Sequence, residues 1–183
     1  MRIDISEDSF DALAEYATVP IAFEVRTVLD ISSMTERVVD PPYVKDYDAV
    51  EGPTSWPTRF DISRWRLLAA RVDGRRVGGA AIAFDTLGVR MLGGRRDVAL
   101  LWDLRVATDL RGRGVGTALF RAAERWAEEK GCMAIEVETQ NVNVPACRFY
   151  ARMGCRLGAI ERQAYPEFPN EVQLLWYKRL GAG

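Results

Sequence analysis

Residues 103–131 read DLRVATDLRGRGVGTALFRAAERWAEEKG, and this stretch decides the fold. Its first residues close an apolar run, DVALLWDLRVA (Asp97–Ala107), of strand character. Its second half repeats Val115, Ala118, Leu119, Ala122, Ala123, Trp126 and Ala127 at the i, i+3, i+4, i+7 spacing of a helix with one buried stripe. Lys130 and Gly131 give that helix a basic last turn and a glycine stop. Between strand and helix lie Gly112, Gly114 and Gly116. Such a unit presents unpaired N–H groups at the positive end of a helix dipole, a place where a pyrophosphate binds. A tight turn needs one glycine, so three argue for a ligand that approaches bare backbone.

Two familiar phosphate-binding patterns do not fit. A P-loop needs Gly-Lys-Ser/Thr, whereas Gly116 is followed by Thr117 and Ala118. A dinucleotide fingerprint counted from Gly112 and Gly114 needs a third glycine where Thr117 stands. The pattern left is Arg-x-x-Gly-x-Gly on Arg111, Gly114 and Gly116, with Gly112 added.

Working outward, RWRLLAARVDGRRVGGAAIAF (Arg64–Phe84) is a hairpin turning at Asp73-Gly74. A second turn at Gly93-Gly94 joins it to the strand before the glycine loop, giving an antiparallel meander. SEDSFDALAEYA (Ser6–Ala17) predicts a capped helix, and IAFEVRTVLDI (Ile21–Ile31) a strand. VVDPPYVKDYDAVEGPTSWPT (Val38–Thr58), with four prolines, predicts a long loop. After the amphipathic helix come a strand at Met133–Thr139 and a short helix within Asn141–Gly154. Asn143 is that helix's N-cap and Gly154 its stop. CRLGAIERQAY (Cys155–Tyr165) and EVQLLWYKRL (Glu171–Leu180) are closing strands. The order predicts an α+β fold with a mixed sheet, and a length of 183 residues suits one domain over 1–183.

Composition narrows the chemistry. With 25 basic and 26 acidic residues the formal net charge is −1, which does not suggest a nucleic-acid or anionic-membrane partner. The first twenty residues are acidic and do not read as a signal peptide, and no apolar run spans a bilayer. The three cysteines, Cys132, Cys147 and Cys155, have no CxxC spacing, so a reducing cytoplasm is the expected location and packing their expected role. The chain contains no histidine. That excludes a Ser-His-Asp or Cys-His site and most zinc sites, and no metal is expected. Carboxylates, tyrosine, backbone amides and water are left.

With these residues in view, DLRVATDLRGRGVGTALFRAAERWAEEKG resembles the acetyl-CoA segment of the GNAT N-acetyltransferase family. NVNVPACRFYARMGCRLG (Asn141–Gly158) resembles the segment after it, with Asn143, Ala146, Phe149, Tyr150 and Gly154 on the matching positions. The resemblance implies a mostly antiparallel central sheet, flanked by helices, whose central strands splay apart to admit the acetyl thioester. It implies acetyl-CoA as co-substrate, with the amides of Arg111, Gly112, Arg113, Gly114, Val115, Gly116 and Thr117 holding its pyrophosphate. Leu104, Arg105 and Val106 match the strand that lends backbone groups to the pantetheine arm and acetyl carbonyl. Asn143, Ala146, Phe149 and Tyr150 match further cofactor contacts. Tyr150 also matches the tyrosine that protonates the departing thiolate, a role to be weighed against simple ring packing.

The base for the incoming ammonium has several candidates. Asp103, Glu136 and Glu138 lie on the two strands, and alternation places Glu136 and Glu138 on one face. Asp103, in an apolar run, is either functional or held in a salt bridge. Glu138 sits where its strand meets the next loop, suited to act through water. Within the family, DPPYVKDYD (Asp40–Asp48), LWDLRV (Leu101–Val106), ETQNVNVPACRFYARMG (Glu138–Gly154) and AYPEFPNEVQLLWYK (Ala164–Lys178) resemble the streptothricin acetyltransferases, which modify a lysine-like amine. Asp40, Asp46, Asp48 and Glu51 are candidates to line a cation site, and Trp56, Trp65 and Trp102 candidates to shape the pocket. Another small amine, a peptide amine, or acyl-CoA binding without turnover remain alternatives, and a homodimer stays open.

Overall fold

The structure, a computed structural model, describes residues 1–181 and divides into two units. The first comprises Met1–Ile21, Tyr47–Ile135 and the chain end from Arg179; the second comprises Ala22–Asp46 and Glu136–Lys178.

In the first unit β1 (Asp4–Asp8), β4 (Arg66–Val72), β5 (Arg75–Phe84) and β6 (Val98–Val106) lie side by side in that order, every pair antiparallel. The β4–β5 turn is the expected one, with Asp73 and Gly74 at φ 50° and 80°, as a two-residue hairpin of this hand requires. β1 corrects the sequence reading. Ser6 does not open a helix; it pairs with Ala69, and the cap is Ser9, whose Oγ accepts from Asp11 N at 3.1 Å. The helical part shrinks to a 3₁₀ turn, Phe10–Ala12, and α1 (Leu13–Tyr16). Pairing with β4 satisfies the backbone there, which outweighs the poor strand propensity of Asp4, Glu7 and Asp8.

α3 (Val115–Glu129) lies across β4, β5 and β6, burying Val115, Leu119, Ala122, Ala123, Trp126 and Ala127 of the predicted stripe, with Ala118 half-buried and Phe120 buried beside it. In the core, Tyr16, Leu67, Leu92 and Leu100 are almost fully enclosed. β6 carries a bulge: Leu101 pairs with Ile82 and Asp103 with Ala81, leaving Trp102 opposite no partner. A bulge bends its strand and re-aims the residues beyond it, here Leu104–Val106.

In the second unit β2 (Phe23–Asp30) and β3 (Thr35–Lys45) form a two-stranded sheet. β3 corrects the expected loop over Val38–Thr58, whose first half is strand. Pairing jumps from Thr27–Val38 to Val25–Tyr43, so residues 39–42 bulge out. Pro41 and Pro42 sit in that bulge, where a residue without an N–H leaves no ladder bond unmade. The second half holds only short turns and α2 (Trp56–Arg59), in the first unit. β7 (Ala134–Gln140), β9 (Gln173–Arg179) and β8 (Arg156–Glu161) are neighbours in that order. α4 (Val144–Arg152) begins at its predicted cap, Asn143 Oδ1 accepting from Ala146 N at 3.1 Å, and Gly154 lies just past its end with φ 88°.

Candidate active site

Each glycine of the loop has its own reason. Gly112 and Gly114 take φ 76° and 91°, a conformation that side chains resist. A Cβ at Gly112 would meet nothing within 4 Å, and at Gly114 only Ile3 Cδ1 at 4.0 Å, so backbone shape and not crowding calls for glycine at both. Gly116 has no such reason: it lies in the first turn of α3 and is not among the positive-φ glycines. Glycine within a helix costs about 1 kcal/mol relative to alanine. What glycine offers there is a bare Cα beside the first-turn N–H groups. The N-cap of α3 is Gly114, which has no side chain to accept from those groups, whereas α4 is capped by Asn143.

Arg111 turns its guanidinium back to the base of this loop. Its Nε donates to Val106 O and its Nη2 to Pro20 O, both at 3.1 Å, and partial burial lowers its pKa from the ordinary arginine value. Its side chain thus fastens the loop. Arg113 and Thr117 are exposed, while Val115 is buried beneath the turn.

Just upstream, β6 is anchored by a buried charge cluster. Arg105, 2% exposed, donates to Asp103 through Nε at 3.0 Å and Nη2 at 2.8 Å. It also grips Asp48 with two bonds, 2.8 and 3.0 Å, and Val19 O at 3.1 Å. The Tyr16 hydroxyl donates to Asp103 Oδ1 at 2.5 Å, and the Arg105 guanidinium stands 4.9 Å from the Tyr16 ring centre. Burial opposes the charge on Arg105, but the hydrogen bonds to Asp103 and Asp48 and the Asp103 charge outweigh it and hold the pKa above the ordinary value. Burial, then the Asp103 charge, raises the Tyr16 hydroxyl well above the usual tyrosine range. Asp103 is therefore the acceptor for three donors, and Leu104, Arg105 and Val106 continue directly from this anchored point.

In the second unit β7 alternates: Val137 and Thr139 are buried, while Glu136, Glu138 and Gln140 are half-exposed on the other face. Glu138 Oε1 accepts from the Tyr165 hydroxyl and, at 3.4 Å, from Gln140 Nε2, which also donates to the Tyr165 oxygen at 3.0 Å. Tyr165 gave no signal in the sequence, because its partner lies 27 positions away. Tyr150 is 6% exposed on α4, edge-on to Phe149 with ring centres 5.0 Å apart, so its ring packing is real whatever its hydroxyl does. Lys45 and Glu171 form a buried pair at 2.7 Å, with the Lys45 ammonium 3.7 Å above the Phe168 ring. The pair joins DPPYVKDYD to AYPEFPNEVQLLWYK, two of the stretches that carry the streptothricin resemblance.

Other candidates fall elsewhere. Trp56 and Trp65 are core residues, their rings 6.2 Å apart, and Trp102 stacks beside Trp65 at 5.3 Å with Phe60 against both. Asp48 and Glu51 are committed to Arg105 and Arg59. All three cysteines are buried and unbonded to one another, and burial raises the thiols of Cys132 and Cys147, as packing residues require. Among the described residues no group of three acidic, cysteine or histidine side chains could hold a metal ion, and no helix is long and apolar enough to cross a membrane.

Comparison with known proteins bears on the family and the fold. The acetyltransferase (GNAT) family model matches residues 33–155. Streptothricin acetyltransferase A of Bacillus subtilis (strain 168) is 43% identical over 81 residues, covering 43% of this chain and 47% of that protein. The chain thus spans about half the length of that relative. Streptothricin acetyltransferase of Streptomyces lavendulae is 28% identical over 179 residues, 93% of this chain and 87% of its own. A crystal structure from Bacillus anthracis str. Ames, described as a candidate streptothricin acetyltransferase in complex with acetyl coenzyme A, superposes with TM-score 0.80 at 25% identity. That superposition covers 99% of this chain and 100% of the other.

Proposed function

The chain belongs to the acetyltransferase (GNAT) family, and from that premise we propose that it moves an acetyl group from acetyl-CoA directly onto a primary amine of a small molecule. The acceptor we assign is the lysine-like amine of a streptothricin-type antibiotic, which the Bacillus and Streptomyces relatives support. The observation that carries the reading is the uncapped first turn of α3, with Gly116 bare beside it and Gly112 and Gly114 bending the loop. An anion such as the CoA pyrophosphate fits a turn whose N–H groups lack a side-chain acceptor.

Acetyl-CoA supplies an acetyl group already activated as a thioester. The chain's own part is positioning, polarisation and proton handling. Backbone from Arg111 to Thr117 holds the pyrophosphate, with Asn143, Ala146 and Phe149 as further cofactor contacts. Backbone of Leu104–Val106, aimed by the Trp102 bulge, steadies the pantetheine arm and polarises the acetyl carbonyl. Glu138 takes a proton from the substrate ammonium through water. The freed nitrogen lone pair then bonds to the carbonyl carbon as the C–S bond breaks. Tyr150 gives its hydroxyl proton to the departing thiolate, and the proton left on the new amide nitrogen passes to solvent. Asp103, saturated by Tyr16 and Arg105, serves as a positioning residue for β6 and not as the base. The cytoplasm is the compartment we assign, supported by three cysteines that form no disulfide.

Thiol release from acetyl-CoA, followed with and without streptothricin, tests the reaction. Amine-dependent release that falls about a hundredfold in Tyr150→Phe supports transfer with Tyr150 as the acid. Binding of acetyl-CoA without release for any amine overturns the enzymatic reading in favour of a binding protein.

A further inference from the structure

Tyr165 lies on the connection between β8 and β9, and that connection is built to deliver it to the end of β7. Asn141, the residue after β7, exchanges two bonds with Val172: Asn141 N donates to Val172 O at 3.0 Å, and Val172 N donates to Asn141 Oδ1 at 2.8 Å. The neighbouring Glu171 is fixed by the buried Lys45 ammonium at 2.7 Å. Two turns close the span back to the tyrosine, Glu171 N donating to Phe168 O and Phe168 N to Tyr165 O, each at 2.9 Å. A buried ion pair whose loss leaves a lone charge is a costly fastening for an ordinary surface loop. Its outcome here is one contact: the Tyr165 hydroxyl meets Glu138 Oε1, the oxygen that Gln140 also approaches.

We propose that Tyr165 is a positioning residue that acts through Glu138, its hydroxyl and the Gln140 amide fixing the orientation of the carboxylate that receives the substrate's proton. The inference rests on the reading of Glu138 as base. A carboxylate with two donors on one oxygen is held in one orientation, ready to accept a proton without first reorganising. Tyr165 itself forms no bond to the reacting atoms.

A double-mutant cycle between Glu138→Gln and Tyr165→Phe tests this in the full-length protein, with streptothricin and acetyl-CoA as probes. The expected result is a fall in kcat of about tenfold for Tyr165→Phe, with the KM for acetyl-CoA and the thermal midpoint unchanged. In the Glu138→Gln background the same change has no further effect. Gln140→Met, which removes the second donor, lowers kcat in the same sense. An unaltered kcat in Tyr165→Phe overturns the inference, as does an equal loss in both backgrounds. If Glu138→Gln alone leaves kcat intact, the base assignment falls and the role of Tyr165 falls with it.

Discussion

At the scale of single residues, the glycine loop shows how conformation and ligand demand can be separated. Gly112 and Gly114 are explained by positive φ, whereas Gly116 is not. Replacing Gly116 with alanine removes a helix penalty of up to about 1 kcal/mol while adding a methyl group beside the first-turn amides. Gly116→Ala therefore melts no lower than the parent in calorimetry, yet binds acetyl-CoA at least tenfold more weakly by titration. Undiminished affinity means that this turn does not hold the cofactor. The pattern of three glycines was legible in the sequence; the division between them was not, because φ is a property of the folded backbone. Asp103 marks the opposite case. An acidic residue in LLWDLRV was visibly out of place, but its partner Tyr16 lies 87 positions away, and Asp48, which shares its Arg105, lies 55 positions away in the chain. Only the fold could show those contacts.

Among the elements, those with a strong period were readable and those stabilised by pairing were not. α3, α4 and the β4–β5 hairpin arise from helical stripes, a cap and an Asp-Gly turn that lie within each segment. β1 and β3 do not, since an acidic segment and a proline-rich one become strands by borrowing partners from β4 and β2. β6 depends on the same kind of distant support. Arg105 holds Asp103 from its own strand and Asp48 from a distant loop, and removing it leaves the enclosed Asp103 carboxylate and the part-buried Asp48 without their cation. Arg105→Leu is predicted to cost about 3–5 kcal/mol in urea unfolding. A loss below about 1 kcal/mol contradicts the view that this cluster anchors the strand.

For the whole molecule, the buried Tyr16 couples stability to alkaline pH. Its folded pKa is raised, so the folded state keeps a proton that the unfolded chain gives up. Its contribution is intact below the unfolded tyrosine value of about 10 and is lost as pH climbs from there toward the folded value. Chemical unfolding between about pH 9 and 11 accordingly shows stability falling with a slope that Tyr16→Phe reduces. In an ultraviolet titration Tyr16 ionises together with unfolding. An equal slope in both proteins contradicts the assignment. Family and cofactor chemistry were legible from two adjacent segments, because phosphate binding by backbone leaves a glycine signature. The acceptor was less so, because no motif of comparable spacing marks it in the sequence. The most direct test of the central claim is mass spectrometry of streptothricin incubated with the protein and isotope-labelled acetyl-CoA. One labelled acetyl group on the lysine-like amine is the predicted result. Streptothricin recovered unmodified, with acetyl-CoA bound and intact, contradicts it.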